Sequence, residues 1–179
     1  MALGNVLMES PIEIVEADLD RTDHQVAVVE LIHAYAMDPM GNARPLSAQT
    51  RLQLIPGLRR VPTTLIFLAY RDRSAIGIAV CFRGFSTFAA QPLVNIHDLA
   101  VLPAHRGRGV GRRLLEAVER RARDLGCCKL TLEVAEHNDR ARRIYREAGF
   151  EQALPAPESG RALFMSKPLE IVRSEEVRK

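Results

Sequence analysis

Between positions 106 and 111 the chain reads Arg-Gly-Arg-Gly-Val-Gly, directly ahead of a stretch with the apolar spacing of a helix. Glycine tolerates backbone angles closed to other residues and lets a ligand approach the main chain, while the first turn of a helix offers unpaired amide hydrogens and a partial positive charge. Such a corner suits a phosphate. An ordinary glycine-containing turn uses the same residues, so detail has to narrow the reading. The loop stands between a strand and a helix, and Arg106 and Arg108 add charge to it. It lacks the Gly-Lys-Ser or Gly-Lys-Thr of a nucleotide P-loop, and its glycines run GxGxG rather than GxGxxG, which disfavours a nucleoside triphosphate or a dinucleotide. Seven arginines lie between His105 and Arg123, opposed only by Glu116 and Glu119. An anionic ligand or a solvated helix face would each account for them.

Other chemistries find less support. Cys81, Cys127 and Cys128 are odd in number, and the last two, as neighbours in a strand, would point to opposite faces. They read as buried, inert thiols rather than a disulfide framework. With no CxxC, and no HxxxH or HExxH among the five histidines, no metal site is expected.

The elements that must carry the corner follow from periodicity. Ile12 to Ala17 reads as a short strand and Thr22 to Met37 as an amphipathic helix stopped by Asp38-Pro39. Ser47 suits the N-cap of a second, short helix. Thr63 to Tyr70 and Ala75 to Phe82 are apolar runs separated by Arg-Asp-Arg-Ser, the pattern of a hairpin, so the sheet begins antiparallel. Leu93 to Val101 is a third long strand, closed by Pro103. Val110, Leu114, Leu115, Val118, Ala122 and Leu125 form one face of a helix, with Gly126 at its C-terminal cap. Leu130 to Val134 then completes a right-handed parallel crossover. Asn138 caps a helix running to Ala148 and ending at Gly149; strands are expected at Phe150 to Ala153 and at Arg161 to Met165, with a charged tail from 168 to 179.

With 179 residues the chain allows one domain spanning 1–179. Hydrophobic residues make up 47% and charged residues 26%, a globular composition that argues against disordered, collagen-like and coiled-coil classes. The fold expected is α/β (α+β), a mixed, mostly antiparallel sheet of six to seven strands flanked by helices. No apolar run approaches the roughly 20 residues that span a bilayer, and the acidic N-terminus lacks a signal-peptide pattern, so a soluble, cytoplasmic protein is expected. The net charge is only +3, from 22 arginines, three lysines and 22 acids, and the chain lacks aromatics interleaved among its arginines, which weighs against a nucleic-acid partner.

The glycine corner resembles the acetyl-coenzyme A loop of the GCN5-related N-acetyltransferase (GNAT) superfamily, which reads Arg or Gln, any two residues, Gly, any residue, Gly or Ala; Arg106, Gly109 and Gly111 match it. The resemblance takes in the preceding strand and a later series, Asn138, Ala141, Tyr145, Gly149 and Phe150, so that the motif-bearing core runs from about 65 to 153, with acceptor-side elements in 1–62. It implies acetyl-CoA as co-substrate and a sheet splayed between the strands at Leu93 to Val101 and Leu130 to Val134, with the coenzyme in the gap. Backbone groups of Leu99, Ala100 and Val101 are then expected to pair with the pantetheine arm, and amides of Arg106, Gly107, Arg108, Gly109, Val110, Gly111 and Arg112 to hold the pyrophosphate. Asn138 would touch the arm from the facing helix. Tyr145 matches the family's usual general acid, the alternative being a tyrosine packed on the sheet.

An acceptor amine must lose a proton before attack, and His97 and Asp98 are the candidate bases; a histidine satisfied within the sheet is the competing reading. Asp98 points to the opposite face of a regular strand unless a bulge intervenes. Asn95 stands where histone-type members carry a catalytic glutamate, and an amide cannot be a base. Phe85 and Phe88, near where acceptors enter, could line a pocket, though core packing is the favoured reading; Asp38 and the acidic first helix could attract a cationic amine, though solvated charges are favoured. The resemblance thus implies direct transfer of acetyl from acetyl-CoA to a primary amine, of a small molecule, polyamine or peptide, with a homodimer open. The alternative is a non-catalytic acetyl-CoA sensor.

Overall fold

The computed structural model describes residues 10–152. The chain runs β1 (Glu13–Glu16), α1 (Thr22–Met37), α2 (Ala48–Arg59), β2 (Thr64–Arg71), β3 (Ser74–Ser86), β4 (Gln91–Val101), α3 (Val110–Asp124), β5 (Leu130–Leu132) and α4 (Asp139–Glu147), with a 3-10 turn at Pro103–His105. The five strands lie in sequence order, β1 to β4 antiparallel and β5 parallel to β4.

Local chemistry accounts for most of the boundaries. The β2–β3 hairpin closes because Asp72 and Arg73 both take positive φ, 50° and 63°, the turn whose twist matches paired strands. Ser47 accepts the Thr50 amide at 3.0 Å and starts α2. Gly126 (φ 67°) and Gly149 (φ 85°) end α3 and α4 in the left-handed region, where a side chain would be strained.

Alternation along β3 divides the core into two layers. Ile78 and Val80 face α1 and α2, packing with Val28, Leu31, Ile55, Ile66 and Leu68. Gly77 faces the other way, beneath α3, where an added Cβ would lie 3.2 Å from Val110 Cγ1 and 3.3 Å from Leu114 Cδ1. That close approach seats the first turns of α3 against β3, where Gly77 pairs with Val101 at the end of β4. Leu114 is fully buried there. Leu114→Ala is expected to cost about 3 kcal/mol through lost burial and a cavity and to lower the thermal midpoint by roughly 8 °C, read by calorimetry.

Several sequence expectations change. The β5 strand ends at Leu132 rather than Val134, and Cys127 and Cys128 lie in the connection before it, so neither sits in a strand; Cys128 is exposed and Cys127 half-buried. Only Cys81 is a buried core thiol, and burial pushes it up to about 12, which keeps it protonated and inert. Phe85, at the end of β3, and Phe88, in the turn that joins β3 to β4, are 62% and 105% exposed rather than packed in the core. Contacts divide the chain after Gly149. Of the part that follows, residues 150–152 carry neither helix nor strand, so the strand expected from Phe150 does not start there; that expected at 161–165 lies outside the described residues.

Candidate active site

The parallel pairing of β5 with β4 lasts three residues, Val94 with Leu130, Asn95 with Thr131 and Ile96 with Leu132. Beyond it, among the described residues, β4 keeps a partner, β3, on one side alone. The Leu102 amide donates to the Ile76 carbonyl at 2.9 Å. Alternation therefore turns the backbone groups of Val101 and Leu99 to the open side and those of Ala100, opposite Ile78, towards β3. Ala100 has no main-chain group left for a ligand, a correction to the expected set. The Asn95 amide donates to Thr131 Oγ1 at 3.1 Å, tying the last paired rungs just before the strands part.

A bulge marks the same place. Cys81 pairs with Ile96 and Val80 with Asp98, leaving His97 as the extra residue. In a regular strand His97 and Asp98 would face opposite ways. Here the His97 ring stands edge-on to Phe82, centroids 5.7 Å apart, on the α1 side, and Asp98 lies on that side too, within electrostatic reach of Tyr35 of α1. His97 is exposed and Asp98 half-buried. Burial raises the Asp98 carboxyl above its usual range, and His97 beside it works in the opposite direction.

At the end of β4 the 3-10 turn delivers the chain to the glycine corner. Gly107 and Gly109 take φ of 74° and 78°, and a Cβ at either would meet nothing within 4 Å, so the backbone is open to close approach. Gly109 is the N-cap of α3. The first helical bond is from Arg113 to the Gly109 carbonyl, at 3.1 Å, so the amides of Val110, Gly111 and Arg112 have no acceptor within the helix. A Cβ on Gly111 would sit 3.9 Å from Val101 Cγ2, which places these amides against the free end of β4. Open amides beside an open strand edge fit a diphosphate with an extended arm, the form of acetyl-CoA.

The arginines divide their work. Arg106 Nε donates to the Val101 carbonyl at 2.8 Å and its Nη2 meets Asp38 Oδ2 at 2.5 Å. Its side chain therefore holds protein rather than ligand, and of Val101 the amide remains for an arm. Asp38, read from sequence as a solvated charge, has a side chain only 10% exposed; Arg106 holds its carboxyl below the usual range, and the Met40 amide acts in the same direction. Along α3, Arg113 donates to the Ile12 carbonyl at 2.7 Å, Arg121 pairs with Glu16 at 3.1 Å, and Arg112 and Arg123 pair with Glu116 and Glu119 one turn away. Most of the arginine-rich face thus braces the helix and β1.

From α4, Asn138 Oδ1 accepts the Ala141 amide at 3.2 Å, spending that oxygen on the helix cap. Tyr145 is half-buried, and burial, followed by the neighbouring Tyr35 phenol, pushes it up to about 12. Tyr35 is itself raised, by burial and then by Asp98 and Asp38. Tyr35 is thus within electrostatic reach both of Tyr145 on α4 and of Asp98 on β4. Tyr35 escapes a sequence reading that follows the apolar face of α1; its spacing of three from Asp38 is the one signal it leaves.

Residues 29–150 match the Acetyltransferase (GNAT) family. The chain is 33% identical over 89 residues to the uncharacterized N-acetyltransferase YhfO of Bacillus subtilis, covering 50% of this chain and 60% of that one. It is 38% identical over 95 residues to streptothricin acetyltransferase of Streptomyces lavendulae, covering 49% of this chain and 50% of the other. The chain thus spans half to three fifths of the length of these curated relatives. Among solved structures, the aminoglycoside N-acetyltransferase AAC(6')-Iy in complex with a bisubstrate analogue superposes with a TM-score of 0.71 at 21% identity, over 89% of this chain and 100% of that one, a shared fold.

Proposed function

The chain belongs to the GNAT family of acetyltransferases, and from that premise we propose that it transfers acetyl from acetyl-CoA to a primary amine by direct attack. The observation that carries the reading is the open edge of β4 at Leu99 and Val101, set against the amides that begin α3 without an acceptor in the helix. Acetyl-CoA supplies a thioester already activated towards amines.

The residues then take separate tasks. Leu99 binds the pantetheine arm through both backbone groups and Val101 through its amide, as an added strand would be bound. Amides of Gly107 to Arg112 receive the diphosphate. An amide just past the bulge polarises the thioester carbonyl, and positioning supplies much of the rate. Asp98, half-buried on the acceptor side, receives the positive charge of the incoming ammonium, and the exposed His97 passes its proton to water. Tyr145 protonates the departing sulfur.

A half-buried carboxylate within electrostatic reach of the Tyr35 phenol favours a cationic small molecule. Two relatives in particular are named for cationic compounds, streptothricin acetyltransferase and thialysine N-epsilon-acetyltransferase. The same reading places the enzyme in the cytoplasm, alongside the acetyl-CoA it consumes. A coenzyme A release assay with streptothricin, an aminoglycoside, thialysine, a polyamine and a lysine peptide tests it. Turnover is expected with at least one primary amine and with none of the same compounds after exhaustive N-methylation. Coenzyme binding without turnover on any of them would favour the acetyl-CoA sensor instead.

A further inference from the structure

We propose that Asp38 is a positioning residue for coenzyme binding, which acts through Arg106 to fix the glycine corner at its working distance from the open edge of β4. The inference rests on the acetyl-CoA reading above and concerns a residue outside both sequence motifs.

The groups assigned to the coenzyme stand on two segments. Leu99 and Val101 end β4, and the free amides begin at Val110. Residues 102–109 join them, through two glycines in left-handed conformations that place little restraint of their own on the path. A ligand that must touch both segments at once binds tightly only if their separation is set beforehand; otherwise part of the binding free energy goes into ordering them.

Arg106, midway along this connection, is where the restraint enters. Its guanidinium is planar, and two contacts in different directions fix that plane: Nε to the Val101 carbonyl at 2.8 Å and Nη2 to Asp38 Oδ2 at 2.5 Å. The first contact ties the corner to the strand. The second keeps the guanidinium from swinging out to water, and at 30% and 10% side-chain exposure the pair is screened less than a surface one.

Asp38 is itself held firmly. Its Oδ1 accepts the Met40 amide at 2.9 Å, its carbonyl accepts the amides of Gly41 and Ala43, and Arg44 returns to the Ala36 carbonyl at 3.0 Å. The turn is tight enough that a Cβ on Gly41 would fall 2.1 Å from the Tyr35 carbonyl oxygen. A rigid turn at the end of α1 thus holds a carboxylate against the coenzyme corner. It does so on the same helix that carries Tyr35 to the acceptor side.

Asp38→Asn keeps the acceptor for the Met40 amide and removes the charge that holds Arg106. Calorimetric titration with CoA is expected to show roughly ten-fold weaker binding, with the thermal midpoint of the free protein within about 2 °C of the parent. The KM for acetyl-CoA should rise in step while kcat stays within about two-fold. Arg106→Gln should weaken CoA binding similarly, and the double variant no more than the worse single one, because the two residues act as one device. Additive losses, or a lowered midpoint with unchanged CoA affinity, would overturn the proposal. If Asp38→Asn binds CoA as tightly as the parent, this inference alone is lost; if the parent takes up no CoA, the acetyltransferase reading falls and takes it along.

Discussion

Tyr145→Phe should lower kcat roughly a hundred-fold while the affinity for CoA, measured by calorimetry, stays within about two-fold. The substitution removes one oxygen from a half-buried ring in α4 and leaves the strand edge and the glycine corner untouched. A departing thiolate needs a proton from a group that still holds one at working pH. Burial, with Tyr35 as a smaller cause, pushes the Tyr145 phenol up to about 12, so the acid form persists through pH 7 to 10. The sign follows directly: a raised pKa keeps the donor protonated, and turnover should show no alkaline fall from Tyr145 in that range. Were the tyrosine instead a base, activity would appear only as pH approached its pKa. An unchanged rate in the Phe variant would reduce Tyr145 to packing and favour the sensor reading.

Gly109→Val should weaken CoA binding at least about a hundred-fold. Gly109 caps α3 at φ 78°, a region where a β-branched residue is a severe outlier. Open space surrounds the position, so steric clash is not the cause. The backbone is. Valine there costs on the order of 2 kcal/mol to hold the left-handed conformation, and the chain can relieve it only by rotating the peptides that aim the amides of Val110 and Gly111. An entering diphosphate would then meet misdirected donors and a bulky side chain. Helix α3 itself, anchored by Leu114, Leu115 and Val118, should survive with a modest loss in thermal midpoint. Gly57, in α2 and equally uncrowded, serves as a control: Gly57→Ala should leave CoA affinity unchanged.

Much of this architecture is legible along the chain because the signals are local. The α1 boundaries at Thr22 and Met37, the Ser47 cap and the glycine stops at 126 and 149 depend on residues within a turn of one another. The glycine corner is legible for the same reason, since a helix N-terminus carries its own unpaired amides wherever it lies. What local signals miss are pairings between distant segments. Asp38 looked like a solvated charge because nothing within 10 residues of it is arginine except Arg44; its partner is 68 positions away. Phe85 and Phe88 read as core residues because aromatics usually are, and only the pairing of β3 with β4 shows that they sit at the hairpin's turn end, exposed.

The bulge is the sharpest case. Periodicity assigns Asp98 to the face opposite His97, and the residue types nearby do not announce an insertion. Cys81 pairing with Ile96 while Val80 pairs with Asp98 moves both side chains to the α1 side, where Tyr35 is within electrostatic reach of Asp98.

The order of helices and strands through α4 and the glycine corner were legible in the amino-acid sequence alone, since hydrophobic period, caps and turn glycines act over one or two turns of chain; Tyr145 as a candidate acid came from the resemblance of its motif to the family. Which faces meet across the sheet, that the Arg106 side chain is held by Val101 and Asp38, and that Asp98 lies within electrostatic reach of Tyr35 were decided by tertiary structure alone. Strand register and ion pairs between distant segments are set by the closing of the whole core, and no short window of residues contains that information.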